Sequence, residues 1–194
     1  MACAEFSGFN GALFNIRTRA LNSFIYYLAQ IFGSFLIGLF LDFSKLSRRI
    51  RAFGGWAILL ALVFALHGWA YIYQKDYTRA STAPKDAYKI DFKDDAYVGR
   101  AILFVLFGIL DAAWQTTAYW MMGAMSNDPG KLAFFVGYYK SIQSAGGAAA
   151  WGLDADKYSY MSIFIATWAL LVAGLLFMVP MMHMRIKNHT VETT

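Results

Sequence analysis

Residues 98–125 read VGRAILFVLFGILDAAWQTTAYWMMGAM, and residues 132–153 read LAFFVGYYKSIQSAGGAAAWGL. Between them lies Ser126-Asn127-Asp128-Pro129-Gly130-Lys131, a cluster of helix breakers and turn formers that stops one run before the next begins. A helix over 98–125 would rise about 42 Å, more than the roughly 30 Å hydrocarbon core of a bilayer. The second run is also long enough to cross. Yet Asp111 sits near the middle of the first, with Gln115 four residues on and so on the same face. Lys140 and Gln143 sit inside the second. A charge at a helix centre in lipid costs roughly 2.5–3.5 kcal/mol on insertion scales. A chain that keeps such groups has somewhere polar to point them, and the other apolar segments are the walls around that place.

The composition fits this reading. Of 194 residues, 59% are hydrophobic and 18% aromatic, and the mean hydropathy is +0.44, too apolar for an ordinary soluble domain. The net charge of +5 would suggest nucleic acid in a soluble protein. Here the basic residues flank apolar spans, as membrane topology requires, so no nucleic-acid partner is expected. Cys3 is the single cysteine, which excludes an intrachain disulfide. The first ten residues, MACAEFSGFN, have no basic n-region and no apolar h-region. The first apolar span is therefore expected to act as its own targeting signal, unless an upstream part of a longer protein does so.

Taken in order, the chain yields five expected transmembrane helices, over 22–41, 54–73, 98–125, 132–153 and 160–182. Residues 1–21 are too short and broken to span. They are expected to lie at the interface or to end a missing helix. Span one carries Gln30, with Gly33, Ser34 and Gly38 allowing close helix approach. Span two has Trp56 at one end and Trp69, Tyr71 and Tyr73 at the other, an aromatic belt at both interfaces. His67 lies just inside its far end, and a neighbour-bonded histidine is the expectation there. Residues 74–96 mix charges of both signs and suggest a solvated loop with a short hairpin. In span four, Gly137, Ser141, Ser144 and Ala148 make a smooth stripe expected to pack tightly. Span five is uncharged and faces lipid, and residues 184–194 are a polar tail. Counting Lys and Arg loop by loop does not decide the orientation. The densest short cluster is Lys45, Arg48, Arg49 and Arg51, which places loop 42–53 and the C-terminus in the cytosol. The sequon Asn188-His189-Thr190 would then go unused.

Three segments carry a family signature: Phe14-Asn15-Ile16-Arg17-Thr18-Arg19-Ala20-Leu21-Asn22-Ser23; Gly38-Leu39-Phe40-Leu41-Asp42 with Arg48-Arg49; and Asp111-Ala112-Ala113-Trp114-Gln115 through Tyr119-Trp120-Met121-Met122-Gly123-Ala124. The run Tyr139-Lys140-Ser141-Ile142-Gln143-Ser144-Ala145-Gly146 completes it. Together they resemble the Unc-93-like family, especially its fungal members, a branch of the major facilitator superfamily. The resemblance covers nearly the whole chain. It implies a twelve-helix protein of which these five spans correspond to the eighth through twelfth, so that the chain is similar to a C-terminal half or fragment. It also implies a cytosolic latch formed by Gly38, Asp42, Arg48 and Arg49, although the paired bases come later after Asp42 than in the superfamily's usual loop motif.

The residues themselves point to a polar cavity lined by Gln30, Asp111, Gln115, Lys140 and Gln143. Asp111 and Lys140 differ in expected depth by about 8 Å. Direct pairing and snorkelling of Lys140 toward the cytosol both fit that gap, and so do proton-coupled chemistry and a structural contact. The family resemblance implies either a transporter-like protein moving a small solute or a non-transporting regulator or trafficking partner of other membrane proteins. An enzyme is not expected: no nucleophile–base pair, phosphate-binding glycine loop or metal-ligand grouping occurs, and no cofactor is implied. The protein is expected in a membrane, with plasma membrane and endomembrane both open. The polar faces of a five-span unit call for more than the lipid bilayer: a missing N-terminal half, a second copy, or another membrane protein.

Overall fold

The protein is described by a computed structural model covering residues 9–82 and 88–186. Five long helices make the bundle: α1 (Ile16–Leu41), α2 (Arg48–Gln74), α3 (Tyr97–Met125), α4 (Pro129–Ala155) and α5 (Tyr160–Arg185). Four of them start at a capping side chain. Asn15 accepts from Thr18 N, Ser47 from Ile50 N, Asp128 from Gly130 N and Lys131 N, and Ser159 from Ser162 N. Each satisfies amide groups that the first helical turn would leave unpaired. Pro129 follows its cap directly, where its missing N–H is harmless.

Four of these helices, not five, are long and apolar enough to cross a membrane: α1, α2, α3 and α5. The exception is α4. It has the length, but Lys131, Lys140, Gln143, Asp154 and its many glycines and serines dilute its hydropathy. It still runs antiparallel alongside α3, with Tyr139 against Tyr119 (5.6 Å between ring centres) and Lys140 beside Gln115.

The tightest seam joins α1 to α3. A methyl group added at Gly33 would lie 2.9 Å from the backbone of Ile109, and one added at Gly108 would lie 2.8 Å from the Tyr26 carbonyl. Glycine at both places lets the two backbones touch. Of the expected small pair, Gly38 meets nothing within 4 Å; Ser34 instead accepts from Thr116 Oγ1 at 3.3 Å. α2 packs behind this pair, and Leu59, Val63 and Leu66 join Leu103, Phe107 and Leu110 in one core. α5 closes on α2, where the Trp56 indole donates to the Leu175 carbonyl at 2.9 Å. His67 is buried between Phe107 and Trp168, its Nδ1 2.9 Å from the Val63 carbonyl.

Two expectations fail here. The small-residue stripe of α4 packs against nothing among the described residues: Gly137, Ser141, Ser144 and Ala148 are exposed, and Ala150 is the helix's single buried residue. Nor does the described part of loop 74–96 form a hairpin. Ile90 instead makes an isolated parallel bridge with Phe14, through Asn15 N to Ile90 O at 3.2 Å and Ile90 N to Leu13 O at 2.9 Å. The bridge draws Phe14 into the interior and ties the approach to α1 onto the loop before α3. Cys3, the sequon at 188–190 and nearly all of the polar tail lie outside the described residues.

Candidate functional site

The polar residues singled out from the sequence come together as a row across three helices. Gln30 of α1 donates through Nε2 to Asp111 Oδ2 at 2.8 Å. Tyr26, one turn earlier on α1, donates its hydroxyl to the same oxygen at 3.4 Å. Gln115, one turn after Asp111 on α3, donates to it at 3.4 Å. Gln115 then turns its carbonyl oxygen toward α4, where Lys140 Nζ donates to it at 3.2 Å. Lys140 also donates to Gln143 Oε1 at 2.8 Å and lies over the rings of Tyr119 and Tyr139. The row thus runs Gln30–Asp111–Gln115–Lys140–Gln143. Gln30, Asp111, Gln115 and Gln143 are half-buried and Lys140 is exposed.

The direct Asp111–Lys140 pair does not form. The Gln115 amide stands between the two charges, as donor to one and acceptor for the other. A carboxylate in lipid is tolerable only where several donors meet it, and Asp111 has three. Sequence inspection missed Tyr26 and the two tyrosines beneath Lys140. Tyr26 was accessible from the pattern, since it lies four residues before Gln30 and shares its face. Among the described residues, no three His, Cys, Asp or Glu side chains are grouped as metal ligands.

The second expected site lies at the helix ends that gather Leu41, Arg48, Met125 and Arg185. Asp42 caps α1, with its N–H reaching the Gly38 carbonyl at 2.9 Å. Its carboxylate accepts from the Trp120 indole at 3.2 Å. Arg51 ties α2 back to the end of α1: its Nη1 donates to the Leu41 carbonyl at 2.6 Å while its guanidinium covers Trp120. Arg49 lies 2.7 Å from His183 Nδ1, linking α2 to α5. Arg48 opens α2.

The opposite ends are held by ion pairs: Arg17–Asp91 at 2.7 Å, Arg79–Asp154 at 2.5 Å and Arg100–Asp76 at 3.8 Å. The Arg17 guanidinium, with help from Asn15, lowers the Asp91 carboxyl to about 2.

Four helices of membrane-spanning length and composition, with a charged row at mid-depth, define an all-α, multi-pass integral membrane protein. Neither a family model nor a solved structure matches the chain. Curated sequences do. An UNC93-like protein of Schizosaccharomyces pombe is 43% identical over 186 residues, 96% of this chain and 37% of that protein. UNC93-like proteins 1 and 2 of Arabidopsis thaliana are each 36% identical over 186 residues, 95% of this chain and 40% of theirs. The chain belongs to the Unc-93-like family. It spans less than half the length of these relatives.

Proposed function

We propose that the chain is the C-terminal portion of a transporter-like protein of the major facilitator type, and that its polar row lines the path of a small solute. The observation that carries this reading is Asp111. Its carboxylate sits at mid-span, held by Tyr26, Gln30 and Gln115 and separated from Lys140 by one amide. A mid-membrane acid that can exchange its proton within reach of a cation is the equipment of coupled transport. The role is binding and translocation without catalysis. The test has two stages. A solute panel is screened for thermal stabilisation of the full-length protein, and flux of any hit is then followed against pH with Asp111→Asn. Loss of the pH dependence is the expected result; unchanged flux across pH would sink the coupling role.

The second reading is a non-transporting partner of other membrane proteins. α4 favours it, because the helix packs mainly on α3 and leaves its small-residue face open among the described residues. That reading predicts co-purification of a membrane partner and no solute effect.

A further inference from the structure

α3, α4 and α5 enclose a groove of about 690 Å³ that the polar row does not use. At one end it is bounded by Met125, Lys131 and Arg185, and at the other by Trp114, Ile142 and Gly174. On each helix the two bounding residues are separated by the same length of chain, a rise of about 16 Å. That is half the roughly 30 Å hydrocarbon core. The groove therefore begins at one membrane surface and stops near the midplane. It is one leaflet deep.

Its walls suit a flexible hydrocarbon. Met121, Met178 and Met181 line it with unbranched, adaptable side chains. At the water end, Lys131 and Arg185 are exposed, and among the described residues neither side chain has an ion-pair or hydrogen-bond partner. The described acids at this end are engaged elsewhere. Asp42 accepts from Trp120, and Asp128 caps α4. Lys45, Arg49 and Arg51 add to the same positive surface. An apolar channel one leaflet deep, with two uncommitted cations at its mouth, has the shape and charge of a single lipid.

We propose that this groove holds one acyl chain of an anionic glycerophospholipid, with the phosphate between Lys131 and Arg185. The proposal is independent of the transport reading, because none of the row residues lines the groove.

The test is native mass spectrometry of the purified chain in micelles containing equal amounts of phosphatidylserine and phosphatidylcholine. Preferential retention of phosphatidylserine is expected. The double variant Lys131→Gln, Arg185→Gln should reduce that preference by roughly 30-fold, equivalent to about 2 kcal/mol for two interfacial cations. Ala118→Trp, which fills the groove wall, should abolish retention of both lipids while helical circular dichroism is kept. Equal retention of the two lipids, an unchanged preference in the double variant, or a protein dimer in place of a lipid adduct would each overturn the proposal. The two cations are exposed, so the double variant remains decisive if Ala118→Trp does not fold.

Discussion

The α1–α3 seam and the α3–α4 seam are built from the same small residues and come out opposite. At the first, Gly33 and Gly108 bring two backbones into contact, and Tyr26, Gln30 and Asp111 bond across it. At the second, Gly137, Gly146, Gly147 and Gly152 face open space, and one lysine reaches over to one glutamine. Small residues permit close approach without compelling it. What decides the matter is whether a partner surface is present. The first seam has its partner within this chain, whereas the second displays a surface ready for one.

The largest effect should come from filling the tight seam. Gly33→Leu or Gly108→Leu should destabilise the purified chain by at least about 3 kcal/mol in a detergent unfolding titration, because rigid backbone blocks the new side chain. The matched change Gly146→Leu should stay within about 0.5 kcal/mol. Equal effects at both seams would break the comparison. The same Gly146→Leu assayed in a full-length relative sharpens it, since a large cost there would show α4 covered.

Next comes the polar row. Asp111→Ala leaves Tyr26, Gln30 and Gln115 without their shared acceptor and should cost about 2 kcal/mol, read by the same titration. Lys140→Met removes an exposed group and should cost less than about 0.5 kcal/mol. Comparable losses would mean that the two halves of the row act as one unit.

A smaller effect belongs to the helix caps. Asn15→Ala should lower stability by about 1 kcal/mol. Asp128→Ala should instead speed amide exchange in the first turn of α4 and leave global unfolding almost unchanged.

The smallest effect is set by pH. The Asp91 carboxyl is held at about 2, below the value near 3.9 expected of an unfolded chain. Its contribution is therefore complete above about pH 4 and is lost as pH falls through about 2. Exchange at the Ile90 amide, which donates to Leu13, should rise across that window. Arg17→Gln, which removes the main cause of the shift, should flatten the response.

Much of the fold is written in local sequence. Five long helices follow the apolar runs, four of them with the hydropathy of a membrane span, and the Asn-Asp-Pro-Gly turn between α3 and α4 stands where the breakers put it. The hydropathy of α4 misled, because a run with a single mid-span charge, Lys140, looks long enough to cross even when its glycines and serines supply little transfer energy. The start of α1 at Ile16 depends on the Asn15 cap, a single side chain inside a mixed segment. The Phe14–Ile90 bridge joins residues far apart in the chain and leaves no periodic trace. For the candidate site, the residue types were legible, since ionisable groups inside apolar runs are conspicuous. Their connectivity was not. That Gln115 stands between Asp111 and Lys140 depends on how α3 and α4 rotate against each other, which side-chain spacing along one helix does not encode.

The turn Ser126–Asp128 has a consequence for how the protein is made. α4 carries too little hydropathy to partition into a bilayer by itself, and the turn leaves almost no slack between it and α3. That arrangement favours entry of the two as a hairpin, with α3 supplying the transfer free energy for both. Lengthening that turn would leave the folded helices untouched and strand α4 in water during synthesis.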